Sequence, residues 1–230
     1  METRPEESAG RDPGEDVAAP SAVEEAVALI RQALVSGRFA PGARLKVAEV
    51  SRELGISTMP VREALRQLEG EGIVKILPNR GAVVRPVDGE FLEHLYEVRT
   101  ALAELALRRA IPRLTLTKLR RLETICEEYE AAAARDDLSA ALTTGRRLHV
   151  EIFAIAGNDH ARRIFERDWE LVQALRLKFG YLPGRMAQIA EEQRMLVDAL
   201  RRSDLVAATT VIRLHNHAGL EDLLARLHTG

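Results

Sequence analysis

Residues 47–85 read VAEVSRELGISTMPVREALRQLEGEGIVKILPNRGAVVR, and this stretch decides the fold of the N-terminal part of the chain. Apolar residues at helical spacing predict a short helix over 47–54, which Gly55 ends. A second helix begins near Ser57 or Thr58, because either hydroxyl can cap its first turn. Two short helices joined by a tight turn form the motif that lays its second helix in the major groove of DNA.

A β-hairpin follows the second of these helices. Gly70 and Gly72 end the helix, and the β-rich runs 73–77 and 82–85 then flank a turn at 78–81. A hairpin in this position is expected to act as a wing beside the second helix. The stretch therefore predicts a winged helix-turn-helix.

The sequence upstream of this motif divides into a tail and a helix. Residues 1–20 are acidic, contain proline and lack periodic apolar positions, so we expect a disordered tail. Ser21 and Glu24 are spaced as a capping box, and apolar residues at helical spacing continue to Gly37. Residues 21–87 are therefore expected to form one domain of three helices and a hairpin.

The sequence from residue 88 onward shows no further strand pattern and is expected to be entirely helical. The predicted helices span 88–111, 116–135, 137–156, 159–179, 184–202 and 204–228. The fold class is thus mostly α, with an N-terminal winged helix-turn-helix followed by an all-α helical bundle over 88–230.

The composition of the 230 residues excludes several classes of protein. We expect no membrane span, because no apolar run approaches roughly 18 residues, and no secretory signal, because the start is acidic. Cys126 is the only cysteine, which excludes an intrachain disulfide and a cysteine-based metal cluster and favours a cytoplasmic location. No nucleophile elbow, phosphate loop or carboxylate pair stands out, so we do not expect an enzyme.

The second helix of the motif and the hairpin tip carry polar residues suited to a DNA surface. Arg62 and Arg66 lie four residues apart and share a helix face, and a guanidinium fits a guanine edge or a phosphate. Arg80 lies at the turn, where a wing reaches the DNA backbone. As an alternative, these arginines only keep the surface of a small helical module soluble. That alternative explains each arginine taken singly, but not their grouping on the second helix and the hairpin tip. The expected DNA-contacting residues are Ser57, Thr58, Met59, Arg62, Arg66, Asn79, Arg80 and Gly81.

Residues 24–86 resemble the winged helix-turn-helix of the GntR family of bacterial transcription regulators. The matching stretches are SGRFAPGARL, AEVSRELGIS, PVREALRQLEGEGIV and PNRGAVVRPV. The helical remainder, which begins with LYEVRTALAELAL, is similar to the FadR-type ligand-binding domain, called FCD, of that family. The resemblance implies a homodimeric repressor that binds a double-stranded DNA operator and responds to a small organic acid.

The same resemblance implies roles for single residues of the DNA-binding domain. Arg62 would read a base, Ser57 would contact a phosphate, and 79–81 would form the wing tip. The family usually has an arginine where Thr58 stands, so the operator is expected to differ from the usual one. Met59 replaces a common threonine and offers an apolar contact to a thymine methyl group.

In the helical domain, the resemblance implies a site for an effector or a metal. His149 and His215 match two histidine ligands of the family pattern, whereas Gly145 and Gln193 replace the other two ligands. A zinc-like ion takes about four ligands. We therefore expect a metal-free pocket in which His149, Gln193 and His215 bind an effector, with a divalent metal such as zinc on the two histidines as the alternative.

Arg99 completes the expected effector site. It lies in an otherwise apolar stretch, and the resemblance implies that its guanidinium binds an effector carboxylate. An interhelical salt bridge is the alternative role for this arginine. Effector binding is expected to move the two wing domains of a dimer through a hinge at 87–89. A regulator without an effector, whose helical domain only dimerises, remains the alternative for the whole protein.

Overall fold

Two packed units follow one another in the computed structural model, which describes residues 21–40, 42–78, 80–85 and 87–229. The first contains α1 (Ala22–Val35), β1 (Arg44–Leu45), α2 (Val47–Leu54), α3 (Thr58–Gly70), β2 (Val74–Leu77) and β3 (Gly81–Val84). The second contains α4 (Gly89–Ala110), a 3-10 turn (Ile111–Arg113), α5 (Leu116–Ala134), α6 (Leu138–Ala156), α7 (Asp159–Phe179), α8 (Arg185–Arg201) and α9 (Leu205–Thr229). The predicted fold class is confirmed; the predicted tail over 1–20 lies outside the described residues.

Local sequence signals set the helix ends of the first unit. The Ser21 hydroxyl accepts a hydrogen bond from the Glu24 main-chain nitrogen at 3.2 Å, and the Glu24 carboxylate accepts one from the Ser21 nitrogen at 2.7 Å. This reciprocal pair is the predicted capping box. Ser57 has the backbone of a cap residue before α3, yet its hydroxyl makes no capping hydrogen bond. That hydroxyl is exposed and free to contact another molecule.

The wing is a three-stranded antiparallel sheet in the order β1-β3-β2, whereas the sequence predicted only the hairpin of β2 and β3. Arg44 of β1 lies opposite Val83, and Leu45 lies opposite Ala82. Gly81, at the start of β3, has a φ of 82°, and a Cβ there would lie 2.1 Å from the Leu45 carbonyl oxygen. Only glycine allows β1 to approach β3 this closely.

Each unit has its own hydrophobic core, made mostly of aliphatic side chains. Ile30, Leu45 and Leu68 are among the buried residues that join α1, the sheet and α3 in the first unit. Leu122 and Leu148 belong to the larger core of the helical unit, in which α5 packs against α6 and α8, and α4 packs against α6 and α9. In the described part of the chain, no helix is both long enough and apolar enough to cross a membrane.

The two units meet through α1, which packs against α3 on one side and against α7 on the other. Within the first unit, the buried guanidinium of Arg31 on α1 forms an ion pair with Glu71, the residue that ends α3. The chain passes between the units at Asp88, whose carboxylate caps α4 by accepting from the Phe91 nitrogen at 2.9 Å. Gly89 is already helical, and a Cβ there would lie 3.4 Å from Leu224. The predicted hinge therefore coincides with a capped helix start, and motion at this position stays a prediction.

Candidate nucleic-acid interface and buried polar cluster

The N-terminal half of α3 projects its polar face into solvent because its opposite face is buried. Val61 and Leu65 of that opposite face are buried in the core of the winged unit. On the outer face Met59 is 64% exposed, and Arg62 is exposed without a hydrogen-bond or ion-pair partner among the described residues. Arg66 is also exposed, but its guanidinium lies 2.8 Å from the Glu63 carboxylate. Arg62 is thus the better placed of the two predicted arginines to contact a base.

A groove of about 530 Å³ lies between α3, β1 and the hairpin. The described residues that line it include no acidic side chain, whereas five of them are basic. These five are Arg44, Lys46, Arg62, Arg66 and Arg80. A groove lined with cations on one side of a helix attracts a phosphate backbone, and arginine can form paired hydrogen bonds with phosphate oxygens.

Two of these basic residues, Arg44 and Lys46, were missed by the sequence analysis. Arg44 donates a hydrogen bond from Nε to the main-chain carbonyl of Arg80 at 2.9 Å, which ties β1 to the tip of the wing. Lys46 is half-exposed, and its ammonium lies 2.6 Å from Glu49. β1 is only two residues long, so its sequence has no alternating pattern that would reveal it.

Of the predicted DNA-contacting residues, Arg62, Arg66, Arg80 and Gly81 line this groove. Ser57, Thr58 and Met59 are exposed at the start of α3, and Arg80 is exposed on the wing. Gly81 is only partly exposed, and the wing requires a glycine at this position because the backbone lies so close to Leu45. Asn79 lies outside the described residues. DNA contact by each residue of the set stays a prediction.

The predicted effector residues also come together, at the centre of the helical unit. They are buried side chains from four different helices, except for His215, which is partly exposed. Arg99 comes from α4, His149 from α6, Gln193 from α8 and His215 from α9. The rings of His149 and His215 lie 5.7 Å apart, and a Cβ on Gly145, one turn before His149, would lie 3.8 Å from the Gln193 amide nitrogen.

Aromatic rings of α7 and α4 surround the Arg99 guanidinium, which is 3% exposed. Its central carbon lies 4.3 Å from the centre of the Phe165 ring, 5.1 Å from Trp169 and 5.9 Å from Tyr96. His149 packs against the same two α7 rings, at 5.2 Å from Phe165 and 5.7 Å from Trp169. Cation–π attraction stabilises a buried guanidinium and holds its plane in place.

A second missed group, Glu192 and Arg185, orients His215. The His215 Nδ1 donates to the Glu192 carboxylate at 2.7 Å, and Arg185 donates to both oxygens of that carboxylate, at 2.5 and 3.1 Å. Burial alone would raise the pKa of Glu192, but the hydrogen bonds from His215 and Arg185 hold it below its ordinary value of 4.5. Glu192 is therefore a carboxylate, and its hydrogen bond to Nδ1 fixes the ring of His215.

The cluster contains polar atoms that no described residue of the chain satisfies. The Tyr129 hydroxyl, the Trp169 indole nitrogen and the Gln193 amide oxygen are buried and lack a hydrogen-bond partner among the described residues. Each such group costs roughly 1–3 kcal/mol when it stays unpaired. Burial, together with the charges of His215 and Arg99, lowers the pKa of His149 well below 6.5, so its imidazole is neutral.

The donor set of this cluster does not fit a divalent metal. Among the described residues, no group of three His, Cys, Asp or Glu side chains is arranged to hold a metal ion. The resemblance implies a carboxylate ligand where Gly145 stands, and Gly145 has no side chain to bind a metal; a Cβ there would be in van der Waals contact with the Tyr129 ring at 3.4 Å. The guanidinium of Arg99 also places a positive charge beside His149. A metal on His149 and His215 is thus not supported by their surroundings.

The fold and the basic surface define a class of protein: a winged helix-turn-helix protein with a helical C-terminal domain. The family model for bacterial regulatory proteins of the gntR family matches residues 22–84, and the FCD domain model matches residues 94–218. The chain belongs to the GntR family of bacterial transcriptional regulators and carries an FCD domain. The family consists of DNA-binding regulators and not of enzymes, as the sequence analysis predicted.

Curated relatives and solved structures agree with this assignment. The chain is 23% identical to the HTH-type transcriptional regulator YdhC of Bacillus subtilis over 87% of this chain and 90% of that protein. It is 32% identical to an HTH-type regulator in the TAR-I ttuE-ttuC' intergenic region of Agrobacterium vitis, over 62% of this chain and 85% of the relative. The structure of E. coli McbR/YncC matches with a TM-score of 0.72 and 21% identity, over 91% of this chain and 100% of that chain, which shows a shared fold.

Proposed function

We propose that this regulator is a homodimeric repressor whose affinity for its operator is set by a small organic acid bound at the buried polar cluster. In each subunit α3 would lie in a major groove of double-stranded DNA, with Arg62 at the base edges and Ser57 at a phosphate. The wing, through Arg80, would contact the adjacent backbone. Such a protein acts where bacterial DNA lies, in the cytoplasm.

The observation that carries the effector proposal is the set of unsatisfied polar atoms beside a buried cation. A carboxylate placed against Arg99 would accept from its guanidinium and from the Trp169 indole nitrogen. The Gln193 amide oxygen and the Tyr129 hydroxyl would then serve a hydroxyl or amine elsewhere on the ligand. Because His149 is neutral, it can pair with a ligand without adding a second buried charge.

The packing of α7 supports a route from this cluster to the DNA-binding helix. Phe165 and Trp169 line the cluster from α7, and α7 also packs against α1. The Arg31–Glu71 ion pair connects α1 to the end of α3. A ligand that draws α7 toward Arg99 would therefore shift α1 and, with it, α3. Operator affinity would change by the ratio of the ligand's affinities for the two arrangements.

An operator titration tests this proposal. The operator is first obtained by selecting bound fragments from random DNA, and binding is then measured with and without acetate, succinate and citrate. Trp169 is the only tryptophan of the chain, so its fluorescence reports binding at the cluster independently of DNA. We expect one carboxylate to change both the fluorescence and the operator affinity, and Arg99→Gln to abolish both responses.

The matched control is Arg121→Gln, which alters an arginine that is exposed on α5. It is expected to leave both responses unchanged. If none of the three carboxylates alters the fluorescence or the DNA binding, the result contradicts control by these acids and favours the effector-free alternative. If the wild-type protein selects no DNA fragment under any condition, the result would instead contradict the proposal that α3 binds DNA.

A further inference from the structure

The last turn of α7 is fixed to the helical unit by buried contacts. Arg176 forms a buried ion pair with Asp222 of α9, and it donates a second hydrogen bond to the main-chain carbonyl of Gly219 at 2.5 Å. Phe179 packs against an apolar cluster formed by α4, α7 and α9. Removing one partner of a buried ion pair is strongly destabilising, so this turn has one position relative to α9.

One side chain of the same turn reaches the winged unit. Lys178 is exposed, and a Cβ on Gly37 would lie 3.6 Å from its ammonium nitrogen. Gly37 follows Ser36, the residue that caps the carboxyl end of α1. Because α1 also packs against α7, the ammonium of Lys178 lies where α1 ends.

The charge of Lys178 suits this position. The carboxyl end of a helix carries a partial negative charge, and α1 has no basic residue in its last turn. The next cation along the chain, Arg38, lies 3.8 Å from Glu53 of α2 instead. Lys178 is itself in the last turn of α7. Its ammonium therefore lies between the carboxyl ends of two helices, whose like partial charges would otherwise repel each other.

We propose that Lys178 is a positioning residue, whose ammonium holds the carboxyl end of α1, and with it the winged unit, in one orientation on the helical unit. Because α1 packs against α3, this contact sets the direction in which α3 faces the DNA. The inference rests on the route through α7 and α1 in the proposed function and names the charge that carries it. An exposed cation at a helix end changes such an equilibrium about two- to fivefold.

A distance measurement on the full chain tests this orientation without DNA or effector. The donor is Trp169 of α7, the only tryptophan, and the acceptor is a dye on Arg52→Cys, at an exposed position of α2. Cys126 is 4% exposed and stays unlabelled. Time-resolved energy transfer should give a narrow distribution of distances in the wild-type background and a broader one with Lys178→Gln. At about 1 M salt the wild-type distribution should also broaden, because salt screens an exposed charge.

Matched variants separate the charge of Lys178 from its bulk. Lys178→Arg keeps the positive charge and should keep the narrow distribution, whereas Lys178→Glu should broaden it more than Lys178→Gln does. Lys118→Gln removes a lysine of α5 and should change nothing. Lys178→Gln also removes a cation from the end of α7, but a loss of helix stability alone would not change the distance between the units. Circular dichroism confirms that each variant is folded.

Operators with altered spacing give a functional measurement. A dimer whose winged units have one orientation requires one spacing between half-sites. An operator with one added base pair at its centre should bind the wild-type protein more weakly than the selected operator, and Lys178→Gln should reduce this loss about two- to fivefold.

A distance distribution and a spacing preference that are both unchanged in Lys178→Gln would overturn the role of Lys178. Equal broadening in Lys178→Arg would overturn the role of its charge. The failure of the proposed function has a different signature, because the energy-transfer measurement uses neither an operator nor a carboxylate.

Discussion

Arg44 holds the tip of the wing: its Nε donates a hydrogen bond to the main-chain carbonyl of Arg80 at 2.9 Å. Because the guanidinium has further N–H donors, it can keep this hydrogen bond and still contact a phosphate. Both residues line the basic groove beside α3. The wing and α3 therefore form one surface, joined by a strand of two residues.

Replacing either arginine of this pair should weaken binding to every DNA sequence. Arg80→Ala is expected to reduce the slope of log affinity against log salt by about one, because one phosphate contact is lost. Arg44→Ala should have a similar effect and should also loosen the wing tip. The double variant is expected to lose less than the sum of the single losses, since Arg44 acts partly through Arg80. Filter binding or fluorescence anisotropy over a salt series measures these values.

The control for the salt series is Arg121→Ala, on the helical unit, which should leave the slope unchanged. Strictly additive losses in the double variant would show that Arg44 does not act through the wing. An unchanged slope for Arg80→Ala would remove the wing from the DNA interface.

Arg62→Ala should relax the choice of base. Arg62 is exposed and unpaired among the described residues, so it is free to form two hydrogen bonds with a guanine edge. The variant is expected to lose roughly 1–3 kcal/mol on the selected operator and much less on random DNA. Competition binding at fixed salt measures both affinities. Equal losses on the two DNAs would refute base reading by this residue.

Gly81→Ala should destabilise the winged domain without removing any polar group. Adopting a φ of 82° costs any residue that has a Cβ about 1–3 kcal/mol of conformational free energy. The new methyl group would also collide with the Leu45 carbonyl oxygen. Urea unfolding is expected to show a lower midpoint for the variant. Gly70→Ala, in open space at the end of α3, is the matched control and should be neutral or stabilising by up to about 1 kcal/mol.

Acid should destabilise the helical domain through His149. The pKa of this buried imidazole is lowered in the folded state, while the unfolded chain keeps the ordinary value of 6.5. As the pH falls below 6.5, the unfolded state takes up a proton that the folded state does not. The free energy of unfolding therefore falls as the pH falls through this window, until the lowered pKa is reached.

Thermal unfolding between pH 7.5 and 5 measures this effect. His149→Gln should flatten the dependence, and His160→Gln, which changes an exposed histidine of α7, should retain it. Glu192 does not interfere, because its pKa is held below 4.5 and its contribution is lost only in stronger acid. A wild-type midpoint that is constant across this range would contradict a buried neutral His149.

Much of the candidate DNA-binding surface could be predicted because its sequence signals are local. A glycine in the left-handed conformation ends α2, and a proline lies in the first turn of α3, so the two helices and their polar faces follow from spacing alone. β1 could not be predicted in this way. A strand of two residues is too short to show an alternating pattern of apolar and polar side chains. Arg44–Leu45 forms a strand because the edge of β3 is open to pairing and because Gly81 lets the Leu45 carbonyl approach closely.

The buried cluster, too, was predictable only in part from the sequence. A family resemblance predicted Arg99, His149, Gln193 and His215, yet nothing in their spacing predicts that four helices bring them together. Glu192 and Trp169 were missed because a charged or aromatic residue on a helix has no assigned partner until the helices pack.

The sequence by itself determined the order and length of the helices, the hairpin and the exposed arginines of α3, because capping, turn chemistry and helical periodicity act over a few residues. Tertiary structure alone decided that Arg44 supports the wing, that Glu192 orients His215 and that Phe165 and Trp169 enclose Arg99. These relationships join residues far apart in the chain, and they depend on distances that only packing sets.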